Sequence, residues 1–208
     1  MKTAVEQVRG HLDFFKSIEC DYWIAGGAIM SFLMDEKPTD IDFFFPDKEG
    51  LKKAYEILTS QGFIVVENLP FGKKMSKGDL VYDILHTEDN PRDCIASFDI
   101  SVCCAAIDTN GIFYHHEKYF EHVGEKTLEY IGNSPNLNWV TKSVRLRKFL
   151  KKGFVMNNRN LIYWLNKQES DQKMVWKRKR QGISAGLDRI KPPNQKKFKI
   201  EEKKLDLQ

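Results

Sequence analysis

No apolar run in this chain approaches the roughly 20 residues that a helix needs to span a bilayer. The first residues, Met1 to Phe15, scatter charges among apolar positions and lack the unbroken apolar segment of a secretory signal. A soluble, cytoplasmic protein with no membrane partner is expected. Cysteine is limited to Cys20, Cys94, Cys103 and Cys104, and no pair has C-x-x-C spacing. The lack of that spacing argues against a zinc site, and free thiols are expected rather than disulfides. Internal repeats are also lacking. Histidine numbers 5, and the adjacent pair His115-His116 would point to opposite faces of a strand, which excludes a shared metal role.

What is present suffices for an ordinary core: 208 residues, 41% of them apolar. The net charge of +4 is unevenly spread. Lys173 to Lys204 holds 12 Lys/Arg against 3 Asp/Glu, a formal +9, so the remainder carries −5. A mildly acidic body with a strongly basic tail fits a nucleic acid partner, and equally a solvated tail that charge keeps soluble.

Periodicity predicts an amphipathic helix over Ala4 to Ile18, a short strand Tyr22 to Ala25 stopped by Gly26-Gly27, and a short helix Ala28 to Met34. A strand Ile41 to Phe45 follows, ended by Pro46, then a helix Gly50 to Ser60 and a strand Phe63 to Val66. Asn68 to Gly78 contains Pro70, Gly72 and Gly78 and reads as a mobile loop. Asp79 to His86 is a strand expected to pair with Phe63 to Val66, and Phe98 to Ile107 is the longest strand. Beyond Glu117 the pattern turns helical, with a basic helix Asn138 to Lys152 capped by Gly153 and another helix over Asn160 to Lys167. Trp139, Trp164 and Trp176 in this part read as packing residues before base-stacking ones. The expected fold is α/β: a small twisted mixed sheet with flanking helices over residues 1–116, a helical region over 117–172, and a basic, flexible tail over 173–208.

The chemistry concentrates near the start. Asp40 and Asp42 stand at i and i+2, so on a strand both leave the same face. Two such carboxylates repel unless a cation lies between them, which predicts a divalent metal site. The preceding pair Gly26-Gly27 lets a backbone approach phosphate closely. Asp99 and Asp83 both lie in apolar segments, where a carboxylate needs a partner. Asp99 is the expected third ligand and Asp83 the alternative.

Gly26-Gly27-Ala28-Ile29 followed by Thr39-Asp40-Ile41-Asp42 resembles the signature of the DNA polymerase beta nucleotidyltransferase superfamily. Within it, the likeness is to the head domains of tRNA nucleotidyltransferases and poly(A) polymerases and to small phage-encoded nucleotidyltransferases. The segments Phe98 to Asp108 and Arg145 to Phe154 resemble two later family blocks, in the same order. The resemblance implies that Asp40, Asp42 and Asp99 hold two Mg²⁺ ions, with Mn²⁺ an acceptable substitute. It further implies that amides near Gly26 and Gly27, together with Arg145 and Lys148, bind the triphosphate of an NTP, ATP among them. The activity implied is transfer of an NMP to a hydroxyl, with an RNA 3′ end such as that of tRNA as acceptor and pyrophosphate released.

The departures are equally specific. Ile29-Met30-Ser31 stands where the family often has Val-Arg-Asp, and Ser97-Phe98 where it has an arginine pair. No Glu-Asp-x-x-Arg selector lies between Asn136 and Arg147. The long helical body that measures tRNA is short or missing, so synthesis of a CCA end is not expected. NMP transfer to a protein side chain, as in toxin or antitoxin members, and non-catalytic nucleic-acid binding on a degenerate transferase fold both stay open. The base, the acceptor and the oligomeric state are not specified by these residues.

Overall fold

A computed structural model describes residues 2–131, 139–162 and 199–205. In chain order the elements are α1 (Lys2–Leu12), β1 (Trp23–Ala25), α2 (Gly27–Leu33), β2 (Ile41–Phe45), α3 (Lys48–Ser60), β3 (Ile64–Leu69), β4 (Gly72–Lys77) and β5 (Leu80–His86). Then come α4 (Pro91–Ala96), a 3₁₀ turn Ser101–Cys103, β6 (Ala105–Asp108), β7 (Ile112–His116) and α5 (Tyr119–Gly124). The chain continues with β8 (Thr127–Leu128), α6 (Trp139–Lys151), β9 (Val155–Met156) and β10 (Ile200–Lys204). Eight strands form one mixed sheet in the order β10-β7-β6-β1-β2-β5-β4-β3, and β8 and β9 form a small parallel pair. Within the large sheet β2 and β5 run parallel and the other pairs antiparallel. The sheet and its helices match the predicted α/β class.

Alternation along β2 sets the two faces of this sheet. Ile41, Phe43 and Phe45 are buried in the main core, with Phe15 and Tyr22 against them and Tyr82 and Ile84 of β5 beside them. Burying a ring the size of Phe43 contributes about 1.5–3 kcal/mol. Val8 and Leu12 of α1, Ile29 of α2, and Ala54 and Leu58 of α3 cover this face. The other face carries Asp42, Phe44 and Asp83. Only part of it is covered, by a smaller cluster of Trp23, Ala25, Cys94, Ile95, Ala106 and Ile200. The carboxylates therefore stand on the open side of a strand whose reverse side is anchored in the core.

Two helix starts follow their local chemistry. Asp47 after Pro46 caps α3 by accepting from the Gly50 amide (2.6 Å), and Asn90 before Pro91 caps α4 by accepting from the Asp93 amide (2.9 Å).

Three predicted elements need correction. Asn68 to Gly78 is not a loop: β4 fills its centre and pairs with both β3 and β5. Pro70 and Gly78 belong to the turns at its ends. Gly72 lies within the strand because an added Cβ would run into the Ile84 carbonyl of β5. Consequently β3 pairs with β4, and not with β5. The long strand Phe98 to Ile107 is broken. Ile100 bridges to Tyr130, the chain turns through Ser101–Cys103, and only Ala105–Asp108 joins the sheet. The basic helix is in place as α6, with Gly153 at φ 83° after it.

Residues 173–198 of the basic segment, with Trp164 and Trp176, lie outside the described residues, as does the helix predicted to run to Lys167 beyond Ile162. Where description resumes, β10 pairs with β7 over its whole length. Among the described residues no helix is long and apolar enough to cross a membrane. All four cysteines are free, three of them buried.

Candidate active site

Asp42 lies mid-strand on β2, opposite Ala25 of β1 and Asp83 of β5. Asp40 precedes the strand by one residue and points to the same side. Burial pushes the Asp42 carboxyl up to about 7, and the charges of Asp40 and Asp83 push in the same direction. Asp83 is also raised, by burial first, although Lys74 opposes the shift. Asp40 moves the other way. Burial would raise it, but the Thr39 hydroxyl, Lys148 and Lys74 together hold it below the usual carboxylate value.

Cations close the site from two directions. Lys74 of β4 faces Asp83 in register. Its Nζ lies 2.7 Å from Asp83 Oδ1, donates to Asp83 Oδ2 (3.0 Å) and reaches Asp40 Oδ2 at 3.4 Å. On the far side α6 and the residue that follows it present three cations at i, i+3 and i+7. Arg145 pairs with Asp99 (3.2 Å), Lys148 Nζ donates to Thr39 Oγ1 (2.7 Å) and lies 3.9 Å from Asp40, and Lys152 bridges Ser31 and Glu36.

The structure thus gathers Asp40, Asp42 and Asp83. Asp99, the expected third ligand, sits on an irregular segment instead of a strand and is 1% exposed. Its charge is met by Arg145, whose guanidinium also lies beside Cys103 and senses Asp42. Against its own burial, Arg145 is held more firmly protonated by Cys103 and Asp99. Gly26 packs on Asp42: a Cβ there would stand 3.0 Å from Asp42 Oδ2, and φ is +93°. Only glycine fits that turn without strain. The Gly26 amide already donates to the Ala105 carbonyl (3.0 Å), so of the predicted phosphate-binding amides this one is engaged. Gly27 opens α2 with nothing within 4 Å of a notional Cβ.

Lys74, Thr39 and Lys152 were not singled out from sequence. Lys74 lies in the segment that Pro70, Gly72 and Gly78 mark as a loop. The i, i+7 spacing of Lys152 from Arg145 was available as a signal.

Asp40, Asp42 and Asp83 bring their carboxylates to one face, Asp42 with a pKa raised by burial and then by its like-charged neighbours, and hard oxygen donors of this kind fit Mg²⁺ or Mn²⁺. Among the described residues no trio of acidic, histidine or cysteine side chains already stands at ligand spacing. Lys74 lies between Asp40 and Asp83 at this point. A cleft of about 260 Å³ opens elsewhere, lined by His11, Phe32, Pro38, Ile41, Asp79 and Val81. It lies on the core side of β2 and contains none of the predicted site residues.

The profile of the Gad2: Gabija anti-defense 2 family protein matches residues 5–126, more than half of the chain. No curated protein matches. Solved structures do. The Thermotoga maritima CCA-adding enzyme complexed with tRNA superposes with a TM-score of 0.61 at 16% identity, covering 79% of this chain and 42% of that one. A CCA-adding enzyme with CTP gives 0.61 at 17% identity, with the same coverage. A tRNA nucleotidyltransferase with a primer tRNA and an incoming ATP analog gives 0.56 at 15%, covering 80% and 50%. The chain spans half the length of these proteins or less. At such identities the likeness establishes a nucleotidyltransferase-like fold.

Proposed function

We propose that this chain, which belongs to the Gabija anti-defense 2 family, is a divalent-metal-dependent nucleotidyltransferase that moves an NMP from an NTP to a hydroxyl acceptor. The observation that carries this reading is the cluster of Asp40, Asp42 and Asp83 on the open face of a transferase-like sheet, with the cations of α6 opposite. Asp40, Asp42 and Asp83 would hold Mg²⁺ or Mn²⁺. When bound, the metal supplies charge neutralisation on the triphosphate and a more acidic acceptor hydroxyl.

The protein's own residues do the rest. Gly26 puts no side chain of its own against the Asp42 carboxylate. Lys148 is half exposed and can turn from Thr39 to phosphate oxygens at little cost. Arg145 is engaged by Asp99, so it holds positive charge at a fixed place and orients α6 against the site. In this reading Asp83 takes the third-ligand role and Asp99 positions Arg145.

The acceptor follows from two considerations. An RNA 3′ end suits the basic tail and the neighbours named above, two of which are complexed with tRNA. The family's anti-defense name favours a component of the Gabija defence, whose modification would disarm it. Incubating the full chain with α-³²P-labelled NTPs and Mg²⁺, with total RNA or with purified Gabija components, separates the two by which polymer becomes labelled. The reading predicts label in one of them, lost in Asp40→Asn and Asp42→Asn. No label in either, with anti-defense activity intact in both variants, contradicts it. A non-catalytic role is the second reading, and the observation that favours it is Lys74, which already supplies a positive charge to two of the three carboxylates.

A further inference from the structure

Lys74 is one of three lysines on β4, and the other two do ordinary things. Lys73 lies over the Tyr55 ring (4.7 Å) and Lys77 donates to the Gln61 carbonyl (2.7 Å). Lys74 alone turns to the carboxylate face, where its side chain is 22% exposed and Asp83's 13%. A solvent-exposed lysine–aspartate pair contributes little to stability. This ammonium is largely enclosed and shared by two acids, so removing it leaves carboxylates crowded without a cation.

Resting on the transferase reading above, we infer that Lys74 is a resident counter-ion that gates divalent metal entry: it holds Asp40 and Asp83 in the metal-free protein and must leave them for an ion to bind. Mg²⁺ would take carboxylate oxygens at about 2.0–2.1 Å. The Lys74 nitrogen already lies 2.7 Å and 3.0 Å from the two Asp83 oxygens. Two cations on the same oxygens repel strongly at such separations, so one excludes the other. The flexible four-carbon stem of lysine allows the ammonium to swing away. A nucleotide triphosphate arriving with the metal gives it an anionic place to go. The class of ligand the site is built to admit is therefore a metal–nucleotide complex, in preference to a bare ion.

The test is titration of the full-length protein with Mn²⁺ alone, free Mn²⁺ being read by electron paramagnetic resonance. Lys74→Met is expected to bind at least about tenfold more tightly than the wild type, the low end of what a metal-site neighbour is worth. Lys74→Gln is a second variant should Lys74→Met not fold, and Lys74→Arg should stay near wild type. Equal or weaker Mn²⁺ binding in the Met and Gln variants, with the wild type binding and Asp40→Asn not, overturns the gate while leaving the transferase reading in place. No Mn²⁺ uptake in any of these proteins overturns both.

Discussion

The Asp42 carboxyl has Asp40 two positions before it and Asp83 beside it on the parallel strand. Its folded value of about 7 exceeds the ordinary 3.8, so the folded chain holds this proton more tightly than the unfolded one. The stabilisation is complete below about pH 4 and is lost as pH rises through 7. Asp83 adds in the same direction and Asp40 opposes it. In EDTA, thermal unfolding followed against pH should therefore show stability falling over this window, with a shallower fall in Asp42→Asn. An unchanged slope in the variant would remove Asp42 as the cause. The two candidate third ligands part equally clearly. Asp83→Asn should lower Mn²⁺ affinity by more than the roughly 10–100-fold that a supporting partner costs. Asp99→Asn should keep Mn²⁺ binding but lose stability, toward the lower end of the roughly 3–5 kcal/mol for breaking a buried pair, because the Arg145 side chain is one-third exposed. Calorimetric Mn²⁺ titration and urea unfolding of both variants read these outcomes.

β4 is the element that most changes the picture. Gly72 of this strand approaches β5 so closely that a methyl group would meet the Ile84 carbonyl. Gly72→Ala should cost about 1–3 kcal/mol, the usual range for overpacking, in urea unfolding, and should weaken the placement of Lys74 along with the strand. No measurable loss would mean that the β4–β5 pairing is looser than described. The strand shows why part of the site was legible in the sequence and part was not. β2 could be read because Asp40-x-Asp42 and its apolar neighbours alternate with period two, and α6 because its cations recur at helical spacing and Gly153 stops it. β4 carries three lysines and only Met75 as a buried apolar residue. It has no amphipathic signal, and the glycine that permits its close pairing looks like a loop residue when only the sequence is seen. The backbone around Asp99 departs from the predicted strand for a related reason. Its apolar neighbours suggested a strand, while tertiary contacts with Glu129 and Tyr130 fold that stretch into a bridge and a turn.

At the scale of the whole molecule, two long-range connections bring distant sequence to the eight-stranded sheet. α6, more than 90 positions after Asp40 in sequence, sends Arg145 to Asp99 and Lys148 to Asp40, and Lys152 just past its end reaches Glu36. β10 covers the β7 edge, with Ile200 buried on the Trp23 side and Arg92 paired with Glu202. Ile200→Ala should cost about 2–5 kcal/mol in urea unfolding if β10 is integral to the sheet. A change within ±0.5 kcal/mol, the range of ordinary surface substitutions, would make it an appendage. The central claim is that Asp40, Asp42 and Asp83 form a divalent metal centre. A crystal structure with Mn²⁺ and a non-hydrolysable NTP tests it most directly, through anomalous scattering from the metal. The account predicts an anomalous peak among Asp40, Asp42 and Asp83, with Lys74 displaced toward the phosphates. A peak at Asp99, or none with Lys74 still on Asp40 and Asp83, would contradict it.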